Sequence, residues 1–388
     1  MPSPIEEQPG LLIRDSFRYS DAVIVIPPPF VQCLACFDGT QTDHDLRQLL
    51  VKILNDFQVG HIADQLMDSL SKNGFLEDEN YLRLKAEQEK AFAEAPVRLP
   101  SHAGQAYPAE LDLLREVMTE WMGPELEPTS GLVGIAAPHV SPAGGYESYR
   151  SAYKLLTPEY RDRTFVILGT SHYGQPERYG LTRKPYRTPF GDAHVNLELL
   201  NELTAKAPDS IATEDYCHAV EHSIEFQVLF LQSIYGPDIK ILPILCGSYA
   251  KSIYEGGMPE EDENVKRFLG TLGEMNAREA DKLLWVLGID MAHMGRRYGD
   301  EFDAIAGEEA MAEVAEMDQD RMQCVNAGDA GAFWERIQVH NDELKWCGSS
   351  PLYTFLKAKP EARGTIERYE QWNIDEQSVV TFAGMSFR

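Results

Sequence analysis

Apolar positions along this chain gather in short blocks separated by polar, helix-like stretches, and the blocks set the expected elements. Residues 165–168, Phe-Val-Ile-Leu, form an apolar run closed by Gly169 and the polar Thr170 and Ser171. That pattern reads as a buried strand emptying into a loop. Residues 131–137 and 283–289 repeat it, and 239–245 and 378–387 add two further strands. Helical stretches alternate with them over 108–122, 146–156, 196–205, 221–235 and 303–327. The alternation predicts an α/β fold with a mainly parallel sheet and helices on both faces, occupying residues 96–388.

Residues 1–95 read as a separate unit. Two strands are expected at 11–15 and 22–26, then a break at Pro27, Pro28 and Pro29. A short buried helix follows over 30–37, and Thr42 or Asp43 is placed to cap a helix over 44–54. A second helix over 61–73 carries Ile62, Leu66 and Leu70 on one face. Gly74 then opens a β-like wing, and a charged helix over 80–95 serves as linker. Cys33 and Cys36 have no second Cys-x-x-Cys beside them and sit in an apolar helix, so they read as core cysteines.

Charge narrows the choice of partners. The 388 residues carry 35 basic and 62 acidic side chains, a formal charge of −27. An acidic excess of this size disfavours nucleic acid and anionic lipid as partners. The first hundred residues hold nine basic against sixteen acidic side chains, the wrong sign for phosphate contacts. No apolar run reaches the roughly 18 residues of a membrane span. The first seven residues lack the basic and apolar segments of a signal peptide, and six scattered cysteines make no disulfide framework. A reducing, cytoplasmic setting is expected.

The chemistry lies at the strand ends. The strand at 131–137 runs into Pro138 and His139, the strand at 165–168 leads to His172, and the strand at 283–289 leads to Asp290 and His293. Ligand sites in open α/β sheets gather past the carboxyl ends of strands. Three strand-end histidines therefore suggest one shared site, as metal ligands or as acid/base groups.

Ordered motifs sharpen this. Pro-Ser-His-Ala-Gly-Gln-Ala-Tyr (100–107), Ala-Pro-His (137–139), Gly-Thr-Ser-His (169–172) and Tyr-Arg-Thr-Pro-Phe (186–190) occur in sequence. Glu-His-Ser-Ile-Glu-Phe-Gln (221–227), Asp-Met-Ala-His (290–293) and Cys-Gly-Ser-Ser-Pro (347–351) follow. Together they resemble the Memo family, the Memo component of the AmmeMemoRadiSam set, over roughly residues 98–388. The resemblance implies a fold similar to class III extradiol dioxygenases and a metal held by His139, His172 and Cys347. It places His293 at the metal as ligand or acid/base, oriented by Asp290, while His222 either lines the site or supports it. Two imidazoles and a thiolate suit iron(II) or copper, with zinc possible, rather than magnesium or calcium. The family's Ala-Pro-His-Ala-Gly-Tyr is replaced here by a longer loop from Val140 to Tyr146, and an arginine common after Cys-Gly is Ser349.

The order of elements in residues 10–80 is similar to the small winged-helix α+β domain of the PqqD-like family. That likeness implies a leader peptide, or a radical-SAM partner protein, at residues 1–95. The implied function is a dioxygenase-like redox enzyme acting on a small molecule or a modified peptide. A non-catalytic metal-binding adaptor and a zinc-type hydrolase are the alternatives. Of the remaining side chains, Glu225 and Gln227 share a helix on which at least one is expected to face solvent. His194, His218 and His340 are expected at the surface, and His102 has no assigned role.

Overall fold

A computed structural model describes residues 9–123 and 127–388; the amino-terminal stretch read for a signal peptide lies outside the described residues. The chain divides into two compact units, Met1–Ala95 and Pro96–Arg388.

In the first unit, strands β1 (Leu11–Arg14) and β2 (Val23–Ile26) pair antiparallel. A 3-10 helix (Pro28–Phe37) follows, then helices α1 (Asp43–Leu54), α2 (Gly60–Lys72) and α3 (Glu79–Glu94). Thr42 caps α1 in a reciprocal box: its Oγ1 accepts the Asp45 N–H while Asp45 Oδ2 accepts the Thr42 N–H at 2.8 Å. Cys33, Leu46, Leu50, Val59 and Ala63 form the small core, and Cys36 is half-buried at its margin.

The wing expected at Gly74 is not a strand. Gly74 takes a left-handed φ of +76°, and the Phe75 N–H bonds back to the Leu70 carbonyl at 2.9 Å. Asn-Gly-Phe-Leu is therefore a helix stop that satisfies the last carbonyls of α2, and the chain passes straight on to α3.

The second unit begins with α4 (Leu111–Met122), β3 (Gly134–Ala137), α5 (Pro142–Tyr153) and β4 (Thr164–Thr170). Three short strands, β5 (Tyr179–Leu181), β6 (Tyr186–Thr188) and β7 (Gly191–Val195), precede α6 (Leu197–Lys206), α7 (Cys217–Val220) and α8 (Glu225–Tyr235). Next come β8 (Lys240–Cys246), α9 (Ala250–Glu255), α10 (Glu263–Glu279), β9 (Leu283–Gly288) and β10 (His293–Gly295). The chain closes with α11 (Glu309–Asn326), α12 (Ala330–Gln338), α13 (Ser349–Ala358) and the long strands β11 (Gly364–Asp375) and β12 (Ser378–Phe387).

The sheet order is β10-β12-β3-β9-β4-β8-β7-β6, with β11 also on β12 and β5 on β8. Its centre is parallel, through β3–β9, β9–β4, β4–β8 and β8–β7. Both flanks are antiparallel, through β12 with β3, β10 and β11 and through β5–β8 and β6–β7. The fold is mixed α/β, and the expected parallel arrangement is confined to the central strands.

Alternation along those strands fills two apolar layers. Val166, Leu168, Leu242, Ile244, Trp285 and Leu287 enter one cluster, shared with α6 and α10 to α13. Phe165, Ile167, Ile241, Leu245, Leu284 and Val286 enter the other, shared with α4, α5 and α8. Burial on both faces is why these strands read as unbroken apolar runs. Among the described residues, no helix is long and apolar enough to cross a membrane.

Candidate metal centre

The carboxyl ends of the parallel neighbours β3, β9 and β4 lie side by side. Gly288, at the end of β9, pairs with Ala137 of β3 and with Gly169 of β4. Loops leaving these ends carry His139, Asp290 and His172 into one place. Gly288 sits at the crossing, and a Cβ there would stand 2.1 Å from the Ser223 carbonyl oxygen and 2.9 Å from Gln227 Nε2. Gly288→Ala is expected to cost about 1–3 kcal/mol through overpacking, read as a lower urea midpoint; an unchanged midpoint would contradict this packing.

His139 is almost wholly buried, and its Nδ1 donates to the Gly288 carbonyl at 2.9 Å. That bond fixes the tautomer and leaves a lone pair on Nε2. His139 Nε2 lies 3.3 Å from Cys347 Sγ and 3.4 Å from Asp290 Oδ2. Asp290 Oδ1 accepts the backbone N–H groups of His139 at 2.8 Å and Val140 at 3.3 Å. Burial pushes the Asp290 carboxyl up to about 6, against the pull of His293 and those N–H groups.

His172 is held in the same manner by Glu221. Its Nδ1 lies 3.1 and 3.2 Å from the two Glu221 oxygens, and its backbone N–H donates to Oε2 at 2.8 Å. Glu221 is wholly buried and also accepts the N–H groups of His222 at 2.8 Å and Ser223 at 3.1 Å. Burial opposes both charges, but the pair overrides it: His172 is held well above the usual histidine range and Glu221 well below the usual carboxylate range.

The His222 ring stacks on His172 at 5.0 Å and meets His139 edge-on at 5.2 Å. Burial holds His222 well below the usual range despite Glu221. Ligand atoms of His139, His172 and His222 all lie within 4.8 Å of one another, and so do those of His139, Asp290 and Cys347. His139 belongs to both groups.

Cys347 is fixed at the start of α13. Its carbonyl accepts from Thr170 Oγ1 at 2.8 Å, and the next residue, Gly348, donates its N–H to the Asp290 carbonyl at 3.0 Å. Burial raises the thiol, yet hydrogen bonding and charge from His139, with a bond from His172, bring it below the usual cysteine range.

His293 stands beside this group with its Nδ1 donating to the carbonyls of Met291 at 3.0 Å and Lys345 at 3.1 Å. Those carbonyls orient the ring, a part expected of Asp290, whose Oδ1 is engaged by backbone N–H groups instead. Burial lowers the His293 pKa, against Asp290.

Supporting residues emerge that the motifs alone did not reveal. Glu225 and Gln227 are both wholly buried, against the expectation that at least one faces solvent. Gln227 Nε2 donates to the Pro138 carbonyl at 2.8 Å, next to His139, and Tyr153 donates to Gln227 Oε1 at 2.8 Å. Glu225 pairs with the buried guanidinium of Arg98 and accepts the N–H groups of Ser101 and His102, each at 3.0 Å. Arg98 reaches on to the carbonyls of Glu221 at 2.5 Å and His218 at 2.9 Å. His218 is buried against Tyr186, whose hydroxyl is 2.6 Å from its Nδ1, while His194 and His340 are exposed. His102, without a role from sequence, packs 5.4 Å from the His222 ring. The available signal was a glutamate and a glutamine inside the apolar run 224–231, where polar side chains are buried only with partners.

Comparison with known proteins agrees with the motif series. The sequence model of the family described as Memo-like protein matches residues 98–386. A MEMO1 family protein of Aquifex aeolicus is 29% identical over 295 residues, covering 74% of this chain and 73% of the relative. Another, from Thermococcus kodakarensis, is 30% identical over 305 residues, covering 75% and 99%. A third, from Methanosarcina acetivorans, is 26% identical over 271 residues, covering 69% and 88%.

Proposed function

Because the chain belongs to the Memo family, we propose that it is a metal-binding redox protein whose centre is formed by His139, His172 and Cys347. The observation that carries this is the meeting of two donor groups at His139, one with His172 and His222 and one with Asp290 and Cys347, with the Nδ1 of His139 and of His172 each tied to an acceptor. Such a set of nitrogen and sulfur donors fits iron(II), copper or zinc and does not fit magnesium or calcium. Iron(II) or copper bound there would supply redox chemistry toward oxygen and a small molecule or modified peptide.

The chain's own groups have separate tasks. His293, its Nδ1 engaged by two carbonyls, takes up or returns a substrate proton at Nε2. Asp290 holds the backbone of His139 and Val140 in place, and His222 lines the cluster beside His172. In this reading the fold is of the extradiol-dioxygenase type, and the Met1–Ala95 unit is a PqqD-like domain that receives a leader peptide or a radical-SAM partner. Its two-stranded antiparallel sheet and acidic balance support that assignment.

A thiolate ligand departs from the two-histidine, one-carboxylate triad of non-haem iron oxygenases, and this favours a second reading, a metal-binding adaptor without turnover. Anaerobic purification with metal analysis, then oxygen uptake with candidate substrates, separates the two. About one equivalent of iron or copper with substrate-dependent uptake is expected. Metal without uptake would leave the adaptor, and no stoichiometric metal would refute the centre. Glu221→Gln is expected to weaken metal binding by about 10–100-fold, the usual effect of losing a partner behind a histidine ligand.

A further inference from the structure

We propose that Asp318 and Arg321 of α11 are positioning residues that lock the segment before Cys347 and the segment before His293 into one unit; this rests on reading Cys347 as a ligand. The two side chains lie three positions apart on one helix and are both buried. Asp318 accepts from Trp346 Nε1 at 2.6 Å, from Thr381 Oγ1 at 2.6 Å and from the Tyr369 hydroxyl at 2.8 Å. Arg321 donates to Asp342 at 2.7 Å, and Asp342 in turn accepts the Trp346 backbone N–H at 2.8 Å. Trp346, the residue before Cys347, is thus held at both its indole and its backbone.

The other arm runs through Thr381. Its Oγ1 accepts the N–H of Ala292, the residue before His293, at 2.8 Å. Backbone bonds from Met291 to Thr381 at 2.8 Å and from Thr381 to Ala292 at 2.9 Å reinforce the contact. One carboxylate therefore ties both segments to the same helix.

The loop that carries the first arm is strained. His340, Asn341, Asp342 and Lys345 all take left-handed φ values between 50° and 56°. Asparagine and aspartate tolerate this region, but histidine and lysine take it at a cost, and such strain persists where the surroundings over-determine it. In this conformation the Lys345 carbonyl accepts from His293 Nδ1 and Asp342 receives Arg321. A connection needed only to join α12 to α13 has no use for left-handed backbone at His340 and Lys345. One that must aim Cys347 and a carbonyl at His293 does.

The test uses the full chain. Asp318→Asn keeps the shape but has one acceptor oxygen fewer for three donors, and Thr381→Val removes the hydroxyl relay at constant volume. Thr381→Ser keeps the relay, and Leu203→Ala is a core-cavity control on another helix. Cobalt(II) affinity and the thiolate-to-cobalt absorption band are measured, together with iodoacetamide alkylation of Cys347 in metal-free protein, followed by peptide mass. Asp318→Asn and Thr381→Val should lose about 10–100-fold in cobalt affinity, shift the band and change the alkylation rate several-fold. Thr381→Ser and Leu203→Ala should keep parent values. Parent-like affinity, band and alkylation in Asp318→Asn or Thr381→Val would overturn the proposal, as would equal losses in Leu203→Ala. A parent protein without a thiolate band would instead strike down Cys347 as ligand, and the alkylation rates would then decide the positioning role alone.

Discussion

His139→Ala should empty the metal centre more completely than any other single substitution. His139 is the one side chain common to both groups of convergent donors, and its Nε2 faces the Cys347 sulfur at 3.3 Å. Removing a partner behind a ligand already costs about 10–100-fold in affinity, so removing the ligand itself should cost more than about 100-fold. The backbone N–H of residue 139 still reaches Asp290 in the variant, so the loop keeps its anchor. Metal content after anaerobic purification is expected to fall far below one equivalent, and His172→Ala and Cys347→Ala should follow. Full occupancy in all three variants would refute the assignment.

The largest effect on stability is expected at Arg98. Its guanidinium and the Glu225 carboxylate are both wholly buried, and breaking such a pair from one side typically costs about 3–5 kcal/mol. In the parent, burial pushes Glu225 up but Arg98 overrides it, leaving the carboxyl well below its usual range. The depressed value means the pair stabilises the fold in full above the ordinary carboxylate range and loses that contribution progressively as pH falls from there through the depressed value. In Arg98→Met burial is opposed only by the bonds from Ser101, His102 and Tyr107, so Glu225 should take up its proton at a higher pH than in the parent. The deficit against the parent should therefore be widest near pH 7 and narrow toward acid pH. Urea unfolding at pH 7 and pH 5 measures this; equal midpoints for parent and variant at pH 7 would contradict it. Arg98 also holds the Glu221 carbonyl, so His172 should loosen in the same variant.

The strand ends were legible because β3, β4 and β9 are buried on both faces and appear as apolar runs with polar residues only at or past their ends. Parallel neighbours share an edge whatever their separation along the chain, which is why three distant histidines could be expected together. Strand direction was not legible. The apolar run of β12 reads alike either way, and only its pairing with β11 and β3 makes this flank antiparallel. Glu221, Glu225 and Gln227 escaped because a polar residue in a helix normally marks the solvent face. Here each has partners from segments more than 45 positions away, such as Arg98 for Glu225 and His172 for Glu221. The stop at Gly74 was misread because Asn-Gly serves a hairpin and a left-handed helix end equally well.

The sulfur of Cys347 and the imidazole of His139 are 208 positions apart in the chain. No short stretch of nascent polypeptide can therefore capture the ion and fold around it, as a zinc finger does. The donors meet only after β3, β9 and β4 have paired and the segment after α12 has closed across them. For the proposed centre, metallation would therefore come after folding. On the proposed reading the ion would have to reach a finished protein, and free metal would add to the persistence of that state by mass action without speeding its formation.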